Sequence, residues 1–179
     1  MKINMRLRRV DDGDAVRFLR WWNDRETRRF SGAGGPVTLD EHLRWFFANI
    51  ENPNWYVGMV PPPDRVTYSI DGPRLPEPWT PVGACRIKQI ESDVQRRHWI
   101  SIVCDPLERG KGYGTELIRL VTEAYQRDAR GREAGFVYPP GCVYARIHHL
   151  NAPSVRVFEQ AGYAYTGEVT GVWRVYWRD

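Results

Sequence analysis

Ile100-Ser101-Ile102-Val103-Cys104-Asp105-Pro106-Leu107-Glu108-Arg109-Gly110-Lys111-Gly112-Tyr113-Gly114 is the stretch whose reading decides the fold. Its first five residues are mostly β-branched and read as a strand, and Asp105-Pro106 ends it, since proline offers no amide hydrogen to a ladder. Downstream, Leu117, Leu120, Val121 and Ala124 recur at helical spacing and mark a long helix opening near Gly112. Glycines at 110, 112 and 114 remove the Cβ atoms that keep backbone amides away from a ligand. The turn delivers those amides to a helix N-terminus, where partial positive charge collects, so it suits an anion. Arg109 and Lys111 add charge at its mouth. Two other phosphate motifs fail on spacing. The P-loop needs a Lys followed by Ser or Thr after its last glycine, whereas Lys111 lies between glycines; the dinucleotide turn needs G-x-G-x-x-G, whereas the glycines here alternate.

Working outward, Val82 to Ile90 and Trp99 to Cys104 read as neighbouring strands joined by a turn over Glu91 to Arg97. Trp55 to Val60 is a further strand, stopped by Pro61-Pro62-Pro63, and Val66 to Ile70 reads as a short one. The proline-rich Asp71 to Pro81 reads as an exposed loop and Arg130 to Gly141 as irregular. Near the N-terminus, Met5 to Val10 is an edge strand. Ala15, Phe18, Leu19 and Trp22 then predict the buried face of a helix running to about residue 23. Thr38-Leu39-Asp40-Glu41 has the capping-box form, and Leu43, Phe46, Phe47 and Ile50 continue it as a second apolar stripe. At the other end come a strand at Cys142 to Ile147, a helix from Asn151 to Ala161, and strands at Tyr163 to Thr166 and Val172 to Trp177. The expectation is an α/β (α+β) fold in a single domain over residues 1–179, a mixed and mostly antiparallel sheet of about seven strands with four helices on its faces.

Composition narrows the function classes. The 179 residues are 42% hydrophobic and 27% charged, a globular rather than disordered balance. Of 26 basic residues only Lys2, Lys88 and Lys111 are lysines, and 22 acidic residues are interspersed, so no stripe tracks a nucleic-acid backbone. The three cysteines, Cys85, Cys104 and Cys142, lie far apart, which predicts reduced thiols rather than disulfides or a metal site, and a cytoplasmic location. No apolar run has the length of a signal peptide core or a membrane span.

A second block gives the turn its context. Arg109-x-x-Gly112-x-Gly114 together with Asn151-Ala152-Pro153-Ser154-Val155-Arg156-Val157-Phe158-Glu159-Gln160-Ala161-Gly162-Tyr163 resembles the two signature segments of the GNAT (GCN5-related N-acetyltransferase) family. The resemblance implies acetyl-CoA as cofactor and a sheet splayed beside the strand before the turn. In that arrangement Ile102, Val103 and Cys104 pair with the pantetheine arm. The amides of Arg109, Gly110, Lys111, Gly112, Tyr113, Gly114 and Thr115 hold the pyrophosphate, and Asn151, Ser154 and Phe158 lie against the cofactor. Asn151 equally reads as a helix cap.

The same resemblance assigns chemistry. Acyl transfer needs a neutral amine, a stabilised oxyanion and a proton for the departing thiolate. Eleven residues back from Arg109, where family members often carry a glutamate, stands His98, a proton relay by its near-neutral pKa or a surface histidine beside Arg96 and Arg97. The family's usual acid is a tyrosine where this chain has Phe158, which cannot donate, so Tyr163 becomes the candidate acid or a core aromatic. Leu19 to Phe30 and Glu41 to Phe46 look like the W-x-N-D and H-x-x-W-F segments of a branch that includes nucleotide-amino-sugar and ribosomal-protein acetyltransferases. That likeness makes Trp21, Asn23, Arg28, Arg29 and His42 substrate-binding candidates, with the aromatics alternatively packing helices. Three readings follow: an N-acetyltransferase acting on a small-molecule amine, a protein N-terminal or ribosomal-protein acetyltransferase, and a non-catalytic acyl-CoA-binding module. The expected partners are a small amine, no nucleic acid and no membrane, with a homodimer left open.

Overall fold

A computed structural model describes residues 3–32, 34–62, 79–90, 93, 95–130 and 141–179. The expected strand at 66–70 and the irregular 131–140 lie outside these residues, as do most of the loop at 71–81 and part of the turn at 91–97. Seven strands form one sheet in the order β1-β2-β3-β4-β5-β7-β6. They are β1 (Arg6–Arg9), β2 (Trp55–Val60), β3 (Thr80–Gln89), β4 (His98–Cys104), β5 (Val143–His148), β6 (Ala164–Thr170) and β7 (Trp173–Arg178). Every pairing is antiparallel except that of β4 with β5.

That one parallel pairing shapes the molecule. β4 and β5 are in register only at His98↔Val143 and Trp99↔Tyr144, so the sheet opens beyond Trp99. On its other side β4 stays paired to β3 along its whole length, from Gln89↔His98 to Gly83↔Cys104. The sheet is therefore splayed beside the strand that precedes the glycine turn.

Five helices cover the faces: α1 (Ala15–Trp22), α2 (Arg25–Arg29), α3 (Leu39–Phe47), α4 (Tyr113–Arg130) and α5 (Ala152–Gln160). The sequence reading expected four. The fifth is α2, too short to show an apolar stripe, and started by Asp24, whose carboxylate accepts from the Thr27 amide. The capping box of α3 forms as read, with Thr38 accepting from the Glu41 amide and Glu41 from the Thr38 amide.

Two main cores lie on opposite faces of the sheet, with a smaller cluster of Trp99, Cys142, Tyr144 and Val175 beside them. On one, Leu117, Ile118, Val121 and Tyr125 of α4 pack with Tyr56, Cys85, Ile87 and Ile100, while Phe158 of α5 and Tyr163 extend the cluster. On the other, Phe18, Trp21 and Phe46 pack on Trp55, Val57 and Ala84. The helical stripes are rotated from those expected. In α1 the buried residues are Ala15, Phe18 and Trp21, not Leu19 and Trp22; in α3 Phe46 is fully buried while Phe47 is half exposed. A stripe wider than one residue leaves the facing direction to the partner surface, here the flat row of Trp55 and Val57. No helix among the described residues is long and apolar enough to cross a membrane.

Candidate active site

The glycine turn owes its shape to backbone that side chains resist. Gly110 and Gly112 have φ of 79° and 81°, in the left-handed region where a Cβ is strained. A Cβ on Gly114 would stand 3.3 Å from the Cys104 sulfur, a tight contact that glycine avoids where α4 begins close to the end of β4. The first backbone bond into α4 runs from the Glu116 amide to the Gly112 carbonyl at 3.3 Å, ahead of which Tyr113, Gly114 and Thr115 have no intrahelical acceptor. The turn is tied down by two ion pairs. Arg109 donates to Asp24 at 2.6 Å and to the Thr27 hydroxyl at 2.8 Å, and Arg20 to Asp105 at 3.1 Å. Lys111 pairs with Glu108 at 2.7 Å, exposed. The two cations expected to add charge at the mouth of the turn thus already have carboxylate partners.

The register of β4 says which backbone groups face the opening. The Asp105 amide donates to the Val82 carbonyl, so in the alternation of an antiparallel pair Val103 also bonds to β3. Ile102 and Cys104 then turn their amides and carbonyls away from β3, toward the side that β5 has left. Of the three residues expected to pair with a pantetheine arm, Val103 is thus engaged by β3 and two remain. The Cys104 thiol is pushed up to about 11 by burial, which keeps it protonated and a poor nucleophile.

The opposite face of β4 holds a cleft lined among others by Trp22, His42, Trp45, Trp55, Arg86 and Ser101. Its floor is a cross-strand row, Trp55↔Arg86↔Ser101, whose side chains share one face. Arg86 is 8% exposed, its guanidinium lying 5.1 Å from the Trp45 ring centre and 5.0 Å from that of Trp55. His42 is buried. Its Nε2 lies 2.8 Å from the Ala15 carbonyl, which can only accept, so Nε2 carries the hydrogen and Nδ1 is the basic atom. Burial lowers the pKa of His42, which favours this neutral ring. Sequence reading missed Trp22, Trp45, Trp55, Arg86 and Ser101 as cleft residues. Strand alternation contained the signal, but not the register that aligns three strands.

The remaining candidates take up other places. His98 projects on the α4 face of β4, its ring 5.3 Å from that of Tyr125, because it shares the parity of Ile100 and Ile102 rather than of Ser101. It does not reach the cleft. Tyr163 is a core residue, its hydroxyl 2.8 Å from that of Thr122 and its pKa raised by burial, against the expectation of a catalytic acid. Phe158 is buried edge-on against the Tyr163 ring at 5.1 Å, a packing partner of that core. Asn151 caps α5 by accepting from the Ser154 amide at 3.2 Å, and Thr115 meets Gln160 of α5 at 3.3 Å.

The proposed acceptor patch is not assembled. Trp21 is fully buried and stacked on Phe18, with centroids 5.5 Å apart. The Asn23 side chain exchanges hydrogen bonds of 2.8 and 2.9 Å with the Val37 backbone. Arg28 donates to the carbonyls of Gly34 and Gly35, and Arg29 is exposed near Glu26. Only His42 of the five lines the cleft.

Comparison with known proteins agrees with this fold. Similar solved structures include a domain from Methanocaldococcus jannaschii (18% identity, TM-score 0.70, 99% of each chain covered). Another is the spermidine N-acetyltransferase of Vibrio cholerae in complex with CoA and spermine (15%, 0.67, 97% of this chain and 94% of that one). A third is the aminoglycoside acetyltransferase AAC(6')-Ib in complex with coenzyme A and kanamycin (16%, 0.65, 96% and 94%). These likenesses speak to the fold. No curated protein matches the chain by sequence. The family model described as an acetyltransferase (GNAT) domain matches residues 4–164, nearly the whole chain, and this protein therefore belongs to the GNAT acetyltransferases.

Proposed function

We propose that this protein transfers the acetyl group of acetyl-CoA to the primary amine of a small molecule bound in the aromatic cleft. The observation that carries the reading is the meeting of two features on β4. The unpaired backbone edge at Ile102 and Cys104 leads along the strand to the glycine turn, and the cleft floor at Ser101 opens on the same segment. The residues present fit the cofactor. An extended amide-bearing arm is matched by a strand edge without a partner among the described residues, and a pyrophosphate by the amides of Tyr113, Gly114 and Thr115, which have no acceptor among those residues, behind two left-handed glycines. When bound, acetyl-CoA supplies an activated acyl group on a thiol of ordinary pKa, ~8.5, which leaves without a strong acid. The substitution of Phe158 for the family's tyrosine is compatible with that.

The chain's own residues act on the amine. His42 replaces His98 as the proton acceptor in this proposal, since it alone among the described cleft residues is a neutral base. Trp22, Trp45 and Trp55 exclude water and hold the body of the acceptor. The nucleotide-linked amino sugar suggested by the N-terminal segments keeps only His42 of its five candidate residues, so the acceptor is better argued from the cleft. The expected compartment remains cytoplasmic, with Cys85, Cys104 and Cys142 as free thiols.

A free-thiol assay with acetyl-CoA against amines of differing charge tests the reading. Amine-dependent thiol release with an N-acetylated product is expected. Tight CoA binding without release on any amine would make the protein a binding module instead.

A further inference from the structure

The cleft contains a cation with no counter-ion among the described residues. Arg86 is more than nine-tenths buried, and its one hydrogen-bond partner among the described residues is the Asn49 side-chain oxygen, 2.8 Å from Nη1. A guanidinium has five N–H donors, and those beyond the Asn49 bond have no acceptor there. No carboxylate lines the cleft among the described residues, although elsewhere arginines pair freely, Arg8 and Arg17 with Asp14 and Arg97 with Asp93. The Nε and Nη2 atoms of Arg86 are not sealed from solvent, so they open on the cleft, while burial of the side chain around them lowers its pKa. The indoles of Trp45 and Trp55 stabilise the cation through their faces but accept none of its hydrogens. The remaining donors are a fork shaped for two oxygens of one anion.

We infer that the acceptor of this acetyltransferase is an amine that carries its own anionic group, a carboxylate or a phosphoryl group, and that Arg86 holds that group. The inference rests on the acetyl-transfer reading and adds the acceptor's class to it. Position supports it. Arg86 lies directly opposite Ser101, one strand spacing away, ~4.8 Å, and Ser101 borders the opening where the acyl group would lie. An anion at Arg86 and an amine at Ser101 are then a few bonds apart, as in an amino acid or an aminophosphonate, with an apolar or aromatic remainder against Trp22 and Trp45. A cleft with an arginine and no described carboxylate disfavours polycations by like-charge repulsion.

Matched pairs test this. Phenylalanine against phenethylamine and tryptophan against tryptamine differ by one carboxylate; an aminophosphonate separates phosphoryl from carboxylate recognition; spermine and kanamycin serve as polycations. The expected result is a kcat/KM at least ~100-fold higher for the anionic member of a pair, as when a buried polar site loses its partner. In Arg86→Met the preference falls to within ~3-fold, chiefly through KM, while Arg86→Lys retains part of it. CoA affinity and the circular dichroism spectrum verify that each variant is folded. A direct readout independent of turnover is quenching of indole fluorescence, since Trp22, Trp45 and Trp55 line the cleft. Anionic amines that quench the wild type and not Arg86→Met uphold the inference even if no acetyl transfer occurs, in which case the enzymatic reading falls alone. Acetylation of spermine, kanamycin or phenethylamine as fast as of their anionic counterparts, or equal loss on both members of a pair in Arg86→Met, overturns the inference and leaves acetyl transfer standing.

Discussion

On the α4 side of β4 the candidate binding groups are backbone, whereas on the α1 and α3 side they are side chains. The glycine turn works by what its residues lack, so its N–H groups stand at a helix start whatever packs nearby. The aromatic cleft works by what its residues carry, and each of them, Trp22, His42, Trp45, Trp55, Arg86 and Ser101, comes from a separate place on α1, α3, β2, β3 and β4. A backbone site suits a ligand common to many relatives. A side-chain site can change its ligand by a few substitutions without disturbing the sheet, which is how one fold hosts many acceptors.

The comparison is broken most directly at Gly112. Glutamate there places a carboxylate beside the anion site and forces a left-handed φ of 81° on a residue with a Cβ. The CoA dissociation constant measured by calorimetry should rise at least ~100-fold, about 2.7 kcal/mol, with a native circular dichroism spectrum. Unchanged CoA affinity would mean that the turn is not the anion site, and the backbone half of the comparison would fail.

A change of intermediate size is expected at His42. Glutamine retains a donor for the Ala15 carbonyl but has no basic nitrogen, so kcat/KM should fall by ~10²-fold while CoA affinity is kept. The active form of His42 is neutral, and burial depresses its pKa. The His42 limb in the rate profile should therefore lie below the ordinary imidazole value of ~6.5, activity being lost only as pH falls through the depressed value, and this limb should vanish in the variant. Stability carries the same sign. The unfolded chain takes up a proton below ~6.5 while the native state resists it, so the contribution of His42 to stability is present above that pH and lost below it. Denaturant midpoints between pH 7.5 and 5 should decline less steeply in His42→Gln.

The two regions also differ in how much of them the sequence reveals. Asp105-Pro106, the alternating glycines and the Asn151 to Tyr163 block are local patterns, and each lies where it was read: strand end, turn, helix cap. The cleft needed two quantities that are not local. One is the rotation of α1 and α3, which puts Trp21 in the core and Trp22 at the cleft. The other is the register of β2, β3 and β4. A shift of one residue in the β3 to β4 connection would move Ser101 to the α4 face and His98 to the opposite one, so a count along the sequence could not assign either its face. Two cations, Arg86 and Lys88, stand inside the strand read at Val82 to Ile90, and only the structure separates buried Arg86 from exposed Lys88. A charged residue amid apolar strand positions signals either an edge or a site.

The smallest effect is expected at Tyr163, and it probes the division between the two faces. Its hydroxyl lies in the α4 core, hydrogen-bonded to Thr122 and away from the cleft lining. Phenylalanine keeps the edge-on contact with Phe158 and removes only that bond. Thr122 sits on α4, where its hydroxyl can turn to a carbonyl of the preceding turn, so the loss should be ~1 kcal/mol, a fall in Tm of ~2–4 °C. With the reacting groups on the other face, kcat/KM should stay within ~2-fold of wild type. A tenfold loss of kcat at unchanged KM would instead place proton transfer on the α4 side of β4, and the assignment of chemistry to the aromatic cleft would have to be abandoned.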